Sequence, residues 1–345
     1  MPPPAASAGQ LQLAIHPNDQ MLLHSLRSFD ANTAVSQYFN VALQQQRAAL
    51  QLLHGFFASR GPDFRMLDFA CGYGRLLRLL APGFAPDELW ASEIQPEALD
   101  FVGRQFGVRT VASNARPEAF DPPVRFDFIW VASLFSHLPP ELFREWVGRL
   151  LALLGPGGVL AFSVHDMTLW PGAVPATGFA YSRESENADL DPGIYGTSFV
   201  TEAFVAHAVG ASGRTCKRLA RAIANEQDLY VVSTRDAAFL EGFRRGPWGF
   251  VDIVRVSHDR ELYLTGWAAS LDDGPLDSVR VAIDGVVQEC RISSMRSDVG
   301  DALRDRRLDR SGWEMRGLLG PAPTFVEVSA ASPRGETALL YAGFL

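Results

Sequence analysis

Between residues 66 and 164, short apolar runs alternate with stretches of helical period, and few folds accommodate that order. Strands are expected over Met66–Ala70, Glu88–Ile94, Val108–Ala112, Phe126–Ala132 and Val159–Val164, and helices over Arg75–Leu80, Pro96–Phe106 and Pro139–Leu154. Strand and helix in strict alternation imply crossover connections, hence a mainly parallel sheet with helices on both faces. The run Phe126-Asp-Phe-Ile-Trp-Val-Ala132 is apolar at nearly every position, as a central strand buried on both faces must be. In the helix that follows, Leu142, Trp146, Leu150 and Leu153 form one stripe, and Gly155-Pro-Gly-Gly158 stops it.

The flanks read differently. Ala31 to Ser59 has helical period, with Leu50, Leu53 and Phe57 on one face, and forms a lead-in. Residues 167–200 are rich in Gly, Pro, Ser and Asn and have no period, which is long for an idle loop and suits a lid or binding segment. A helix over Thr201–Val209 and strands over Lys217–Ala224 and Asp228–Thr234 follow. Beyond Arg235 the pattern becomes short strands with turn signals, among them the Asp284-Gly285 hairpin signal, and predicts a small β-sandwich with a helical turn near Asp298–Arg306. The expected division is a helical lead-in over residues 1–60, an α/β domain over 61–235, a linker over 236–247 and a β-sandwich over 248–345.

A chain of 345 residues fits two domains of ordinary size. Its formal net charge of −8 argues against holding nucleic acid or an anionic membrane through bulk charge. The three cysteines, Cys71, Cys216 and Cys290, are too far apart for a zinc knuckle and odd in number, so no metal site and no disulfide framework is expected. With no apolar run long enough to span a bilayer and no signal pattern in the first ten residues, a soluble cytoplasmic protein is expected. The oligomeric state is left open.

Chemistry concentrates where the first strand, Met66-Leu67-Asp68-Phe69-Ala70, enters the turn Cys71-Gly72-Tyr73-Gly74. Glycines at 72 and 74 allow sharp curvature and close approach of a ligand. Glu93, ending the next strand, stands where a carboxylate accepts from ribose hydroxyls. A nicotinamide dinucleotide would need a third glycine where Leu77 stands, and Asp68 would repel a pyrophosphate. Two carboxylates favour a ligand bearing a cation.

Leu67-Asp-Phe-Ala-Cys-Gly-Tyr-Gly-Arg75 resembles motif I of the class I S-adenosylmethionine-dependent methyltransferases. Phe126-Asp-Phe-Ile-Trp-Val-Ala-Ser133 is similar to that family's fourth strand, and Leu154-Gly-Pro-Gly-Gly-Val-Leu-Ala-Phe-Ser163 to the stretch before its fifth. The resemblance spans roughly residues 61–235. It implies a Rossmann-like seven-stranded sheet of order 3-2-1-4-5-7-6 with the seventh strand antiparallel. It also implies S-adenosyl-L-methionine as cofactor, with Asp68, Ala70, Cys71, Gly72, Gly74, Glu93, Ile94, Asn114, Ala132 and Ser133 around it and Tyr38 of the lead-in as a lid residue.

Candidate bases are His137 and His165, after the fourth and fifth strands, at the edge where open α/β sheets bind ligands. Asp166, Tyr181 and Tyr195 are candidate acceptor contacts. Cys71 has no partnered base and is read as small-residue packing. In the C-terminal part, Gly266-Trp-Ala-Ala269, Val279-Arg-Val-Ala-Ile-Asp-Gly285, Ser297-Asp-Val299 and Ser311-Gly-Trp313 resemble β-sandwich modules found beside bacterial sugar-processing transferases. Trp267 and Trp313 are either core or a sugar-stacking platform. The expected activity is methylation, through oxygen, of a small-molecule or glycan acceptor; the alternative is a non-catalytic scaffold whose β-sandwich is an interaction module.

Overall fold

The computed structural model describes residues 11–184, 191, 193–210 and 212–345. The first ten residues, and 185–190 of the segment expected to be a lid, lie outside the described residues. The chain divides into two compact units. The first takes residues up to Gln20 and Gln45–Phe243, and the second takes Met21–Gln44 and Arg244–Leu345. Helices α1 (Gln20–Leu26) and α2 (Ala31–Phe56) come first in the chain, and α2 is shared, with residues 31–44 of the expected lead-in grouping with the C-terminal strands.

In the first unit, β1 (Met66–Phe69), β2 (Leu89–Glu93), β3 (Arg109–Ala112), β4 (Phe126–Val131) and β5 (Leu154–Asp166) pair in parallel in the order β3-β2-β1-β4-β5. The sheet continues with β9 (Gln227–Ser233), antiparallel to β5, and β8 (Thr215–Ile223), antiparallel to β9, so β9 takes the place expected for the seventh strand. Alternate residues of the central strands enter two different cores. Leu67, Phe69, Ile129, Val131, Leu160 and Phe162 pack with α5 (Pro140–Ala152) and α6 (Glu202–Val209). On the other face, Met66, Phe128, Trp130, Val159 and Ala161 pack with the end of α2 and with α3 (Leu77–Leu80). This is the period-two pattern of a sheet covered on both sides.

Two departures from expectation have local causes. The helix expected from Arg75 begins only at Leu77, because Gly72 and Gly74 hold left-handed φ values of +53° and +75° and keep the preceding residues in turn. The segment 167–200 contains a hairpin, β6 (Phe179–Ser182) and β7 (Thr197–Val200). His165 pairs with Gln227 of β9 on one edge of β5, so its pairing with Phe199 of β7 uses the other edge, which β4 occupies farther down. The hairpin therefore extends the sheet at the end where β4 has stopped.

The second unit holds two antiparallel four-stranded sheets. One contains β10 (Pro247–Val256), β11 (Glu261–Ser270), β12 (Gly274–Pro275) and β15 (Gly312–Leu318); the other runs β14 (Val286–Arg291), β13 (Ser278–Ile283), β16 (Phe325–Ala331), β17 (Thr337–Phe344). The helix α7 (Ser297–Leu303) answers the expected helical turn. Leu262, Leu264, Trp313 and Met315 of the first sheet meet Val279, Val281, Val326 and Leu340 of the second in one core. Trp267 and Trp313 are 9% and 1% exposed, so both are core and neither offers a stacking platform. Ser36 of α2 donates to Ala342 O (3.3 Å) and accepts from Ala342 N–H (2.7 Å), tying the helix to β17.

Gly266 is required by the β10–β11 pair, since a Cβ there would stand 2.2 Å from the carbonyl oxygen of Phe250 and 2.9 Å from the Trp313 ring. Gly266→Ala is expected to cost this unit about 3 kcal/mol, the upper range of overpacking. In thermal unfolding followed by tryptophan fluorescence, an unchanged melting profile would contradict it.

Candidate cofactor and acceptor site

The first strand ends at Phe69, and from Ala70, which has φ +57°, the chain turns through Cys71, Gly72, Tyr73 and Gly74 into α3. A Cβ on Gly72 would meet nothing within 4 Å, so the loop borders open space there; one on Gly74 would stand 2.5 Å from the Phe106 ring. Glu93 faces this loop. Its Oε2 accepts from Gly72 N–H (2.9 Å), and its Oε1 from Ile94 N–H (2.7 Å) and Gln95 N–H (3.1 Å). Three of the roughly four acceptor positions of a carboxylate are thus used to aim it, and the last is left for a ligand hydroxyl. Ile94 beside it is 39% exposed, an apolar surface open to a flat ring.

Asp68 and Glu93 are both buried, and burial pushes both carboxyls upward, Asp68 to about 8 with the Glu93 charge adding to the rise and Arg75 opposing it. Desolvation of two like charges with one arginine near is a site short of positive charge. A ligand cation would supply it. Burial also raises the Cys71 thiol, with Asp68 and Glu93 adding to the effect, which suits packing and not a nucleophile.

Residues 12–18, for which the sequence offers no signal, hold this loop from outside. Arg78, 1% exposed, donates to Gln12 O (3.2 Å) and Ala14 O (3.0 Å). The His16 ring stacks on Tyr73 with centroids 4.6 Å apart, while the Tyr73 hydroxyl donates to Glu97 (3.0 Å). Burial and that hydrogen bond raise the Tyr73 phenol to about 12.

The other expected cofactor residues are placed as follows. Asn114 is exposed at the end of β3 and accepts Arg116 N–H (3.0 Å) with its side-chain oxygen. Ala132 and Ser133 follow β4, Ser133 with φ +64°. Tyr38 is buried and lies in the stretch of α2 that belongs to the second unit.

Beyond β4 and β5 the acceptor candidates gather. The His137 ring is 3% exposed and stacks on Tyr195 at 4.5 Å, with His165 edge-on at 6.2 Å. His137 Nδ1 lies 2.7 Å from Gly196 O, which can only accept, so Nδ1 carries the proton. Tyr181 lies over Gly196 from the neighbouring strand. Asp166 is otherwise engaged: one oxygen accepts Thr168 N–H (2.9 Å), and the other pairs with Arg218 (2.8 Å), which also binds Asp228 (2.6 Å). Among the described residues no group of three or more His, Cys, Asp or Glu could hold a metal, and no helix is long and apolar enough to cross a membrane.

Residues 67–160, which include this loop, Glu93 and β4, match the family model described as a methyltransferase domain. The matched stretch, which is similar to a methyltransferase domain, makes up about a quarter of the chain. Among solved structures, the chain is similar to Streptomyces venezuelae DesVI at 15% identity and TM-score 0.43, with 60% of this chain and 100% of that one covered. It is similar to an S-adenosylmethionine-dependent methyltransferase from Clostridium acetobutylicum at 14% identity and TM-score 0.41, covering 55% and 91%. An amino pentose methyltransferase from Micromonospora echinaspora involved in calicheamicin biosynthesis gives 21% identity and TM-score 0.40, covering 55% and 92%. No curated protein matches the chain.

Proposed function

We propose that the first unit holds S-adenosylmethionine against the β1 and β2 ends and methylates a hydroxyl of a small-molecule or glycan acceptor bound beyond β4 and β5. The observation that carries this reading is the open space at Gly72 beside a Glu93 carboxylate aimed by three backbone N–H groups. Glu93 would accept from a ribose hydroxyl, Ile94 would offer its apolar face to the adenine, and Asp68 would offer charge to the cationic end. Cys71, Gly72 and Gly74 would supply close backbone, with Ala70, Ala132 and Ser133 bordering the reacting end and Asn114 on the adenine side.

When bound, the cofactor supplies a methyl group on positively charged sulfur. Much of the acceleration of such a transfer comes from holding the acceptor in line. His165 is the base, receiving the acceptor's hydroxyl proton on a ring nitrogen. His137, with Nδ1 committed to Gly196 O, fixes the hairpin that carries Tyr195; Tyr181 and Tyr195 line the acceptor side. Asp166 belongs to the ion network behind it. The glycan option rests on the sequence resemblance of the C-terminal strands.

Calorimetric titration of S-adenosylmethionine and S-adenosylhomocysteine into wild type and Glu93→Ala tests the reading. The mutant is expected to bind about 10-fold to 100-fold more weakly, the loss of charge-assisted hydrogen bonds worth about 1.5–3 kcal/mol. Failure of folded wild type to bind either would leave the domain as a scaffold.

A further inference from the structure

Gln227 opens β9 directly opposite His165 of β5, and opposed residues of an antiparallel pair share a face. Ser163, two residues before His165, lies on that face as well. Gln227 and Ser163 meet a third side chain, Ser133, just past the end of β4. Ser163 Oγ donates to Gln227 Oε1 at 2.7 Å, and Ser133 Oγ donates to the same oxygen at 3.1 Å. Ser133 N–H in turn donates to Ser163 Oγ at 2.8 Å.

This arrangement orients the Gln227 carboxamide. Ser163 is 0% exposed and already accepts from Ser133 N–H, so its own proton has to go to a protein acceptor, and Gln227 Oε1 receives it. With its oxygen turned to two hydroxyls, the amide directs its NH₂ group away from them, on the face that Gln227 shares with His165. Two N–H donors and a histidine then share one face at the C-terminal end of β5.

Resting on the methyltransferase reading, we propose that Gln227 is the specificity residue of the acceptor site. Its amide N–H groups hold an oxygen lone pair of the acceptor, so the compound methylated carries a hydrogen-bond-accepting oxygen beside the hydroxyl that loses its proton to His165. The position favours the acceptor over the cofactor. Gln227 is separated from β1 by β4 and β5, three strand spacings or about 14 Å, whereas the cofactor contacts gather at β1 and β2. A site that donates to an oxygen discriminates strongly against an analogue lacking it, because the donors are then left unpaired.

The test uses the full chain, ¹⁵N-labelled and saturated with S-adenosylhomocysteine, with acetone as a probe that can only accept hydrogen bonds. The Gln227 side-chain NH₂ signals are identified by their loss in Gln227→Glu. Acetone is expected to shift them at least threefold more than those of the exposed Gln288, and Ser163→Ala, which frees the amide to turn over, is expected to abolish the difference. A shift produced by S-adenosylhomocysteine itself would make Gln227 a cofactor residue and overturn the proposal, as would an acetone response no larger than that of Gln288. Absence of S-adenosylhomocysteine binding, seen before acetone is added, is failure of the methyltransferase reading instead, and the acceptor role falls with it.

Discussion

Asp68→Asn is expected to stabilise the folded chain increasingly from pH 5 to pH 8, with no further gain above, while weakening cofactor binding. Burial, reinforced by the Glu93 charge and opposed by Arg75, raises the Asp68 carboxyl from 3.8 to about 8. In the unfolded chain it ionises near its ordinary value, so between about pH 4 and 8 the folded state keeps a proton that the unfolded state has released. Stability contributed by the neutral carboxyl is therefore complete below pH 4 and lost as pH rises through 8. Asparagine keeps the shape without the charge. Four units of separation bound the effect near ~5 kcal/mol, and relaxation of a charged buried site reduces the expectation to on the order of 3 kcal/mol. Thermal unfolding at pH 5, 6, 7, 8 and 9 measures it; a gap between mutant and wild type that stays constant over that range would mean Asp68 ionises normally.

The same carboxyl links binding to pH. A cationic ligand lowers the Asp68 pKa, so its binding releases a proton and tightens as pH rises toward 8, by at most about tenfold per unit. Asp68→Asn removes this slope and binds more weakly at pH 8. Calorimetry in buffers of different ionisation enthalpy detects the released proton directly. Buffer-independent binding enthalpies would leave the two carboxylates without the electrostatic role given to them.

The parts of this fold that were legible in the sequence are those where burial writes a pattern along one short stretch. β1, β2, β4 and α4 (Pro96–Phe106) follow from runs such as Phe126–Val131, and the end of α4 follows from Gly107 at φ +65°. The glycine turn and Glu93 were readable for a related reason: both depend on residues close in sequence to a strand end. β6 and β7 were not, because each is four residues long and is stabilised by partners on β5 and by the segment after β4. The Gly155–Gly158 stretch, expected to stop the preceding helix, lies within β5, yet the pairing jumps from Phe126↔Leu154 to Phe128↔Val159, so these residues leave the ladder with Gly157 at φ +69°. Gln227 and the Arg78 anchor carried no signal at all. Their roles depend on Ser133, Ser163, Gln12 and Ala14, from 64 to 94 residues away in the chain, and only the fold brings them together.

Gly196→Val is expected to release the β6–β7 hairpin from the sheet while leaving the cofactor loop intact. A Cβ at this position would stand 2.2 Å from Ser182 O and 2.7 Å from the Tyr181 ring, and the first of these is backbone that cannot swing aside. The hairpin is fastened by Gly196 N–H to His137 O (2.8 Å), His137 Nδ1–H to Gly196 O (2.7 Å) and Ser198 N–H to Ser136 O (2.8 Å). A branched side chain at 196 must open the β6 side or break these bonds, at a cost of about 3 kcal/mol. Hydrogen exchange at the amides of residues 196 and 198 should accordingly speed up about 100-fold, while the amides of β1 and β2 keep their protection. Since Glu93, Gly72 and Ile94 lie on those strands or the adjoining loops, S-adenosylhomocysteine affinity should stay within about twofold of wild type, a change under about 0.5 kcal/mol. Loss of both properties together would mean that the hairpin and the cofactor loop unfold as one cooperative unit, and the acceptor side could not then be altered independently of the cofactor side.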